Sequence, residues 1–224
     1  MEFREGQLPD VQIDAAVAPC FWLNPAMTMQ ITPVTLQGTR IRMEPLVLER
    51  HLEGLMAIAL EPELWRWTLN VVETREDLRG YLEEALRMQA EGSALPFATV
   101  DQATGRVVGC TRFGNIETKH RRVEIGWTWV ARESQRTHVN TEAKYLMLRH
   151  AFETWGCLRV ELKTNVLNGK SRDAMLRIGA KEEGILRKHA ISDRGVSRDT
   201  VYYSITDEEW PGVKARLEKM MGGG

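Results

Sequence analysis

Residues Arg122–Phe152 read RVEIGWTWVARESQRTHVNTEAKYLMLRHAF. The stretch opens with alternation. Val123, Ile125, Trp127 and Trp129 fall on one face of a predicted strand, and Glu124, Gly126, Thr128 and Val130 on the other. A short polar loop follows, and then Ala143, Leu146, Met147, Ala151 and Trp155 recur at helical spacing. A loop that passes a strand into a helix N-terminus makes an anion site. The first helical turn has backbone N–H groups without intrahelical partners, and the macrodipole adds roughly half a positive charge there. The pattern points to a phosphorylated ligand.

Reading outward from this segment, residues 1–34 differ from the rest. Pro9, Pro19, Pro25 and Pro33 interrupt them and no period is sustained, so a partly irregular extension is expected. A single domain is expected over residues 35–221, with a flexible tail at 222–224. Thr39–Met43 reads as a short strand, and residues 46–60 and 74–90 read as amphipathic helices. Thr74 with Asp77 forms a capping-box pattern at the start of the second helix. Strands are predicted at Phe97–Val100 and Val107–Gly114, on either side of the turn-prone DQATGR. After the central segment come a strand at Arg159–Thr164 and a helix at Asn168–Ile178, capped by Asn168 and ended by Gly179. Two closing strands, Lys181–His189 and Thr200–Ile205, flank SDRGVS, and a terminal helix spans Asp207–Met221 with Pro211 near its start. The fold class is mixed α/β, with helices on both faces of one sheet.

Composition narrows the function. Lys plus Arg number 30 against 31 Asp plus Glu, a net charge of -1, which gives no general attraction for nucleic acid or membranes. The three cysteines are far apart and the five histidines lack ligand spacing, so neither a disulfide framework nor a metal site is expected. No apolar run is long enough for a membrane span, and MEFREGQLPD lacks the pattern of a secretory leader. A cytoplasmic protein is the expectation.

Four segments carry a family resemblance: EIGWTWV (124–130), QRTHVNTEA (135–143), VELKTNVLNGKSRDAMLRIGAKEEGILR (160–187) and DTVYYSITDEEWP (199–211). In order and spacing, over roughly residues 36–220, the chain resembles the GNAT acetyltransferase superfamily and its RimJ/RimL-like branch, named for enzymes acetylating ribosomal-protein N-termini. The resemblance implies a GNAT-like, mostly antiparallel sheet and acetyl-CoA as co-substrate, with no metal. The implied activity is acetyl transfer to a primary amine, either a protein N-terminal α-amine (ribosomal or other) or a small molecule, by direct attack in a ternary complex. Exposed strand edges and the related enzymes suggest a homodimer.

It also implies site residues. The family loop follows Gln/Arg-x-x-Gly-x-Gly/Ala and holds the pyrophosphate with backbone amides, which corresponds here to Gln135, Arg136, Thr137, His138, Val139, Asn140 and Thr141. His138 and Asn140 stand where glycines are expected, a departure at positions valued for positive φ and close phosphate approach. Without the resemblance, the same loop reads as an ordinary turn capped by Asn140 or Thr141. Trp127, Thr128, Trp129 and Val130 correspond to the splayed strand along the pantetheine arm; both tryptophan side chains read equally as core. Asn168, Ser171 and Gly179 meet a second family pattern, in which Asn168 serves as cap, cofactor contact or both.

Glu124 corresponds to the family's general base or substrate anchor, working against an amine that must lose its proton. Its alternative is an ion pair with Arg112 or Arg122. The general acid for the departing thiolate is open. A family tyrosine is replaced by Met175, which leaves Ser171, with Tyr202 and Tyr203 as alternatives. A non-catalytic acyl-CoA-binding module is the competing reading, motivated by His138, Asn140 and Met175.

Overall fold

In the computed structural model, which describes residues 29–222, eight strands form one sheet. They are β1 (Leu36–Gln37), β2 (Ile41–Pro45), β3 (Leu95–Asp101), β4 (Val107–Glu117), β5 (Arg122–Val130), β6 (Arg159–Asn165), β7 (Lys181–Ile191) and β8 (Ser197–Thr206). Their order is β1-β2-β3-β4-β5-β6-β8-β7, and every neighbouring pair is antiparallel except β5 with β6. The helices are α1 (Leu48–Ala59), the single turn α2 (Pro62–Trp65), α3 (Arg75–Ala90), α4 (His138–Arg149), α5 (Gly169–Ile178) and α6 (Trp210–Gly222). The parallel β5–β6 pair needs a crossover, and α4 supplies it.

Each sheet face carries its own core. On one face α1, α2 and α3 bury Leu55, Trp65, Leu78, Leu82 and Ala85 against Ala98, Cys110 and Trp129. On the other, Ala143, Leu146, Met147, Ala151 and Trp155 of the α4 segment, continued by a π-helical turn over His150–Thr154, pack on Phe97, Phe113, Val123 and Ile125. Each buried Leu, Ile, Val, Met or Phe among them contributes about 1.5–3 kcal/mol on burial. Together they fix which side of the sheet every strand residue faces.

Local signals behave as expected at several ends. Thr74 and Asp77 exchange both capping-box hydrogen bonds, and Gly179 ends α5 with φ 103. α2 and β1 are additions to the expected elements, and β3 begins two residues earlier than its apolar pattern suggested. Met29 is buried, and the Trp155 indole donates to the Gln30 carbonyl at 3.1 Å, so the segment leading into β1 rests on the core. Residues 1–28 and 223–224, which hold most of the expected extension and the tail, lie outside the described residues.

The element that matters most is β5. It pairs with β6 at Arg122–Arg159, Val123–Val160 and Glu124–Glu161, and beyond this the two strands part. β6 continues against β8 to Asn165, while β5 continues against β4 to Val130. The β4–β5 register shifts between Cys110–Trp129 and Arg112–Gly126, and Trp127 takes φ 49. This bulge inserts one residue and corrects the predicted alternation. Val123 and Ile125 join the α4-side core, whereas Trp129 packs with Trp65 on the opposite face, ring centroids 5.4 Å apart.

Candidate active site

The opening between β5 and β6 is framed by side chains that take over β5 carbonyls. Thr111 and Thr128 hydroxyls donate to Gly126 O at 3.2 and 3.3 Å, the Tyr81 hydroxyl to Trp127 O at 3.3 Å, and Gln135 Nε2 to Val130 O at 3.1 Å. Backbone that left β6 is thus satisfied locally and held open. Trp127 is braced on both sides. The Arg112 guanidinium, 1% exposed, lies 4.9 Å from the Trp127 ring and 4.9 Å from the Tyr81 ring. Across the strand, a Cβ at Gly114 would stand 2.3 Å from Trp127 Cζ3, so only glycine leaves room for that ring.

Beyond Val130 the chain turns through Arg132–Ser134 and reaches α4. Arg136 takes φ 60, and Thr137 caps the helix, accepting from Val139 N at 3.3 Å and donating to Ser134 O at 2.7 Å. The cap is therefore neither Asn140 nor Thr141, both of which lie inside the first helical turns. His138 and Asn140 are absent from the positive-φ residues. The left-handed position falls on Arg136, so non-glycine side chains at 138 and 140 cost no backbone strain. His138 is half-buried on the side of Asp101, whose carboxyl is held below its usual range chiefly by Thr104 hydrogen bonds, with the His138 charge adding to them.

On the facing wall, Asn168 Oδ1 accepts from Ser171 N at 3.2 Å at the start of α5. Arg172 fastens that helix to Tyr203 Oη and Val166 O, each at 3.2 Å. Arg177 Nη2 reaches from α5 to Thr141 Oγ1 at 3.2 Å and brings a cation to the first turns of α4. Lys144, one turn further along α4, is 7% exposed and donates from Nζ to Thr128 Oγ1 at 2.9 Å. Neither Arg177 nor Lys144 was singled out in the sequence. Helical spacing from Thr141 to Lys144 was the available signal.

Glu124 stands on the α1–α3 side of the opening, 2% exposed. Its partners are Lys163 Nζ at 2.8 Å and Asn115 Nδ2 at 2.6 Å, both to Oε2. The expected partners Arg112 and Arg122 are engaged elsewhere: Arg112 between its two aromatic rings, Arg122 with Glu161 at 3.3 Å. Lys163 is the β6 residue whose side chain enters the space left by the parting strands, which spacing alone did not reveal. Its ammonium also lies 5.7 Å from the Tyr202 ring, and Tyr202 Oη meets His189 Nε2 at 3.3 Å. Arg198 completes this side; burial lowers its pKa while the Glu124 charge opposes the fall. Tyr203 points to the opposite face, buried against Arg172 and Glu182. Glu124 and Ser171 make no hydrogen bond with each other, and each belongs to its own wall.

The two sides differ in chemistry. The α4–α5 side offers a helix N-terminus with Arg177 beside it, suited to an anion on a long ligand. The α1–α3 side offers a buried carboxylate among hydrogen-bond donors, suited to an amine. Cys110 and Cys157 are free and buried, their thiols pushed up to about 11 and about 12 by burial, which makes them inert spectators. Among the described residues no cluster of His, Cys, Asp or Glu is arranged to hold a metal ion, and no helix is long and apolar enough to cross a membrane.

Comparison with known proteins gives the same picture. The family described as "Acetyltransferase (GNAT) domain" matches residues 40–181. A curated relative from Bacillus subtilis, "Putative ribosomal N-acetyltransferase YdaF", is 36% identical over 110 residues, covering 49% of this chain and 59% of that protein. The crystal structure of a GCN5-related N-acetyltransferase from Brucella melitensis superimposes with a TM-score of 0.78 at 29% identity, covering 84% of this chain and 85% of that one. Mycobacterium smegmatis RimJ, in complex with CoA-disulfide, shares the fold with a TM-score of 0.73 at 24% identity, covering 85% and 96%. A sheet that parts beside Glu124, a capped helix at its mouth and a family match across both place this chain in the GNAT acetyltransferase family.

Proposed function

We propose that this protein transfers an acetyl group from acetyl-CoA directly to a primary amine, with both substrates held in the opening between β5 and β6. The observation that carries the reading is the parting of those strands after Glu124, with a buried carboxylate where they fork and the capped N-terminus of α4 beyond the far end of β5. The residues fit the cofactor. Backbone amides of the loop Gln135–Thr141 and the first turn of α4 would hold the pyrophosphate, with Arg177 adding charge. Trp127–Val130 would line the pantetheine arm, and Asn168 and Ser171 the other wall. Because His138 and Asn140 do not need positive φ, the objection that favoured a non-catalytic module loses its backbone basis.

In this reading the acceptor amine enters beside Glu124, which takes its proton through a water or anchors it. Holding amine and thioester together supplies much of the rate without a covalent enzyme intermediate. Ser171 is the candidate donor to the leaving thiolate. With a reference pKa of about 8.5 that thiolate needs little assistance. An α-amine, pKa about 7.7–8.0, is free at neutral pH a few hundredfold more often than a lysine near 10.4, which favours protein N-termini over lysine side chains. The ribosomal name carried by YdaF agrees with such an acceptor, which this protein would meet in the cytoplasm.

The test is acetyl transfer to a panel of N-terminal peptides and small amines, with cofactor binding followed separately by thermal shift. Glu124→Gln is expected to bind acetyl-CoA as the wild type does and to lose at least about tenfold in turnover. An unchanged rate removes Glu124 from the chemistry, and no shift with either CoA or acetyl-CoA removes the cofactor.

A further inference from the structure

Lys144 has no part in the scheme above, yet its amine is bonded to Thr128, one of the residues that would line the pantetheine arm. It projects from α4 one turn beyond Thr141, and its Nζ donates to Thr128 Oγ1 at 2.9 Å. That hydroxyl in turn meets Thr111 Oγ1 at 2.6 Å and Gly126 O at 3.3 Å, so the amine is tied to the splayed stretch of β5 itself. The residue is 7% exposed and has no carboxylate partner among the described residues. A buried ammonium without a counter-ion is costly, and the favoured escape is to give up the proton.

We propose that Lys144 is a self-acetylation site, its amine taking the acetyl group from acetyl-CoA bound in the same opening when no acceptor is present. The inference rests on the cofactor reading given above. In the step, the Nζ lone pair attacks the thioester carbonyl carbon, a C–N bond forms and the C–S bond breaks. CoA leaves as the thiolate, and the proton lost from Nζ neutralises it. Nothing beyond acetyl-CoA is consumed.

Other lysines contrast with it. Lys163 is held by Glu124, while Glu209 and Glu153 hold the Lys181 and Lys214 ammonium groups above their usual range. Burial instead pushes Lys144 down to about 7. At neutral pH that makes its free amine roughly a thousandfold more abundant than that of an ordinary lysine. Solvent exposure is not required, because the acetyl donor is delivered by the protein's own binding site. Acetylation would end the amine's charge, lengthen the side chain and disturb its bond to Thr128, so the modified protein is expected to bind CoA less tightly.

The experiment incubates the full-length protein with acetyl-CoA and no amine acceptor at neutral pH and maps acetylated peptides by mass spectrometry over time. Lys144→Arg and a CoA thermal shift run in parallel. One acetyl group accumulating on Lys144 ahead of the exposed lysines, and missing from the variant, supports the proposal. A CoA shift with no acetyl on Lys144, or with acetylation spread evenly over surface lysines, overturns it while leaving the cofactor reading intact. Absence of any CoA shift overturns both. The wild-type peptide map decides the matter even if Lys144→Arg fails to fold.

Discussion

Lys163→Met tests the electrostatic design of the amine side. Glu124 keeps 3% side-chain exposure, and its oxygen has two partners, Lys163 at 2.8 Å and Asn115 at 2.6 Å. Removing the ammonium leaves a carboxylate in the middle of the sheet with one neutral donor and the half-buried Arg198 nearby. Breaking a buried pair from one side costs about 3–5 kcal/mol, because the remaining charge stays desolvated. Lys163 keeps 18% side-chain exposure, so water reaches that end and the lower figure, about 3 kcal/mol, applies. For a domain of this size that is a fall in Tm of roughly 6–12 °C. The assay is denaturant unfolding of wild type, Lys163→Met, Glu124→Gln and the double variant at neutral pH. The double variant is expected to recover most of the loss. A deficit under about 0.5 kcal/mol, or a double variant no more stable than Lys163→Met, would refute the claim that Lys163 is what makes a buried Glu124 tolerable.

Two further variants probe the frame of the site. Gly114→Ala puts a methyl group 2.3 Å from the Trp127 ring, so about 1–3 kcal/mol of stability is expected to be lost, together with weaker CoA binding as the bulge shifts; denaturant midpoints and calorimetry check both. Thr137→Ala removes the α4 cap at about 1 kcal/mol, and calorimetric titration with CoA is expected to show a loss of affinity that the same cap deletion at Thr74 does not produce.

The legible part of this protein was the part set by periodicity and caps. The stripe Ala143–Leu146–Met147–Ala151–Trp155 lies in the core as its spacing required, and Thr74, Asn168 and Gly179 mark helix ends as their chemistry required. What the sequence hid was a single inserted residue. Alternation assumes a regular pleat, and Trp127 with φ 49 breaks it, so Trp129 crosses to the other core. Partners of Glu124 were missed for a related reason. Simple pairing offered Arg112 on the neighbouring β4 and alternation offered Arg122 on β5 itself, whereas Lys163 becomes available only because β6 separates from β5, a tertiary event without local signature. The glycine pattern misled in a third way. It located the left-handed demand two residues too late, at 138 instead of 136, because the start of α4 was drawn too far into the helix.

Three residue pairs, Arg122–Arg159 to Glu124–Glu161, are all that join β1–β5 to the β6–β8–β7 plate along the sheet. Such a short seam behaves as a hinge pin with a long arm. From Glu124 to Val130 the free arm is about 20 Å at the usual strand rise, so a rotation of some three degrees at the pin displaces the far end by about 1 Å. That end is where Gln135 and the α4 N-terminus stand, and an ångström there is the difference between a made and a broken hydrogen bond. Remote substitutions that tilt one plate against the other should therefore reach ligand affinity first at the phosphate end and only weakly at Glu124, which sits beside the axis.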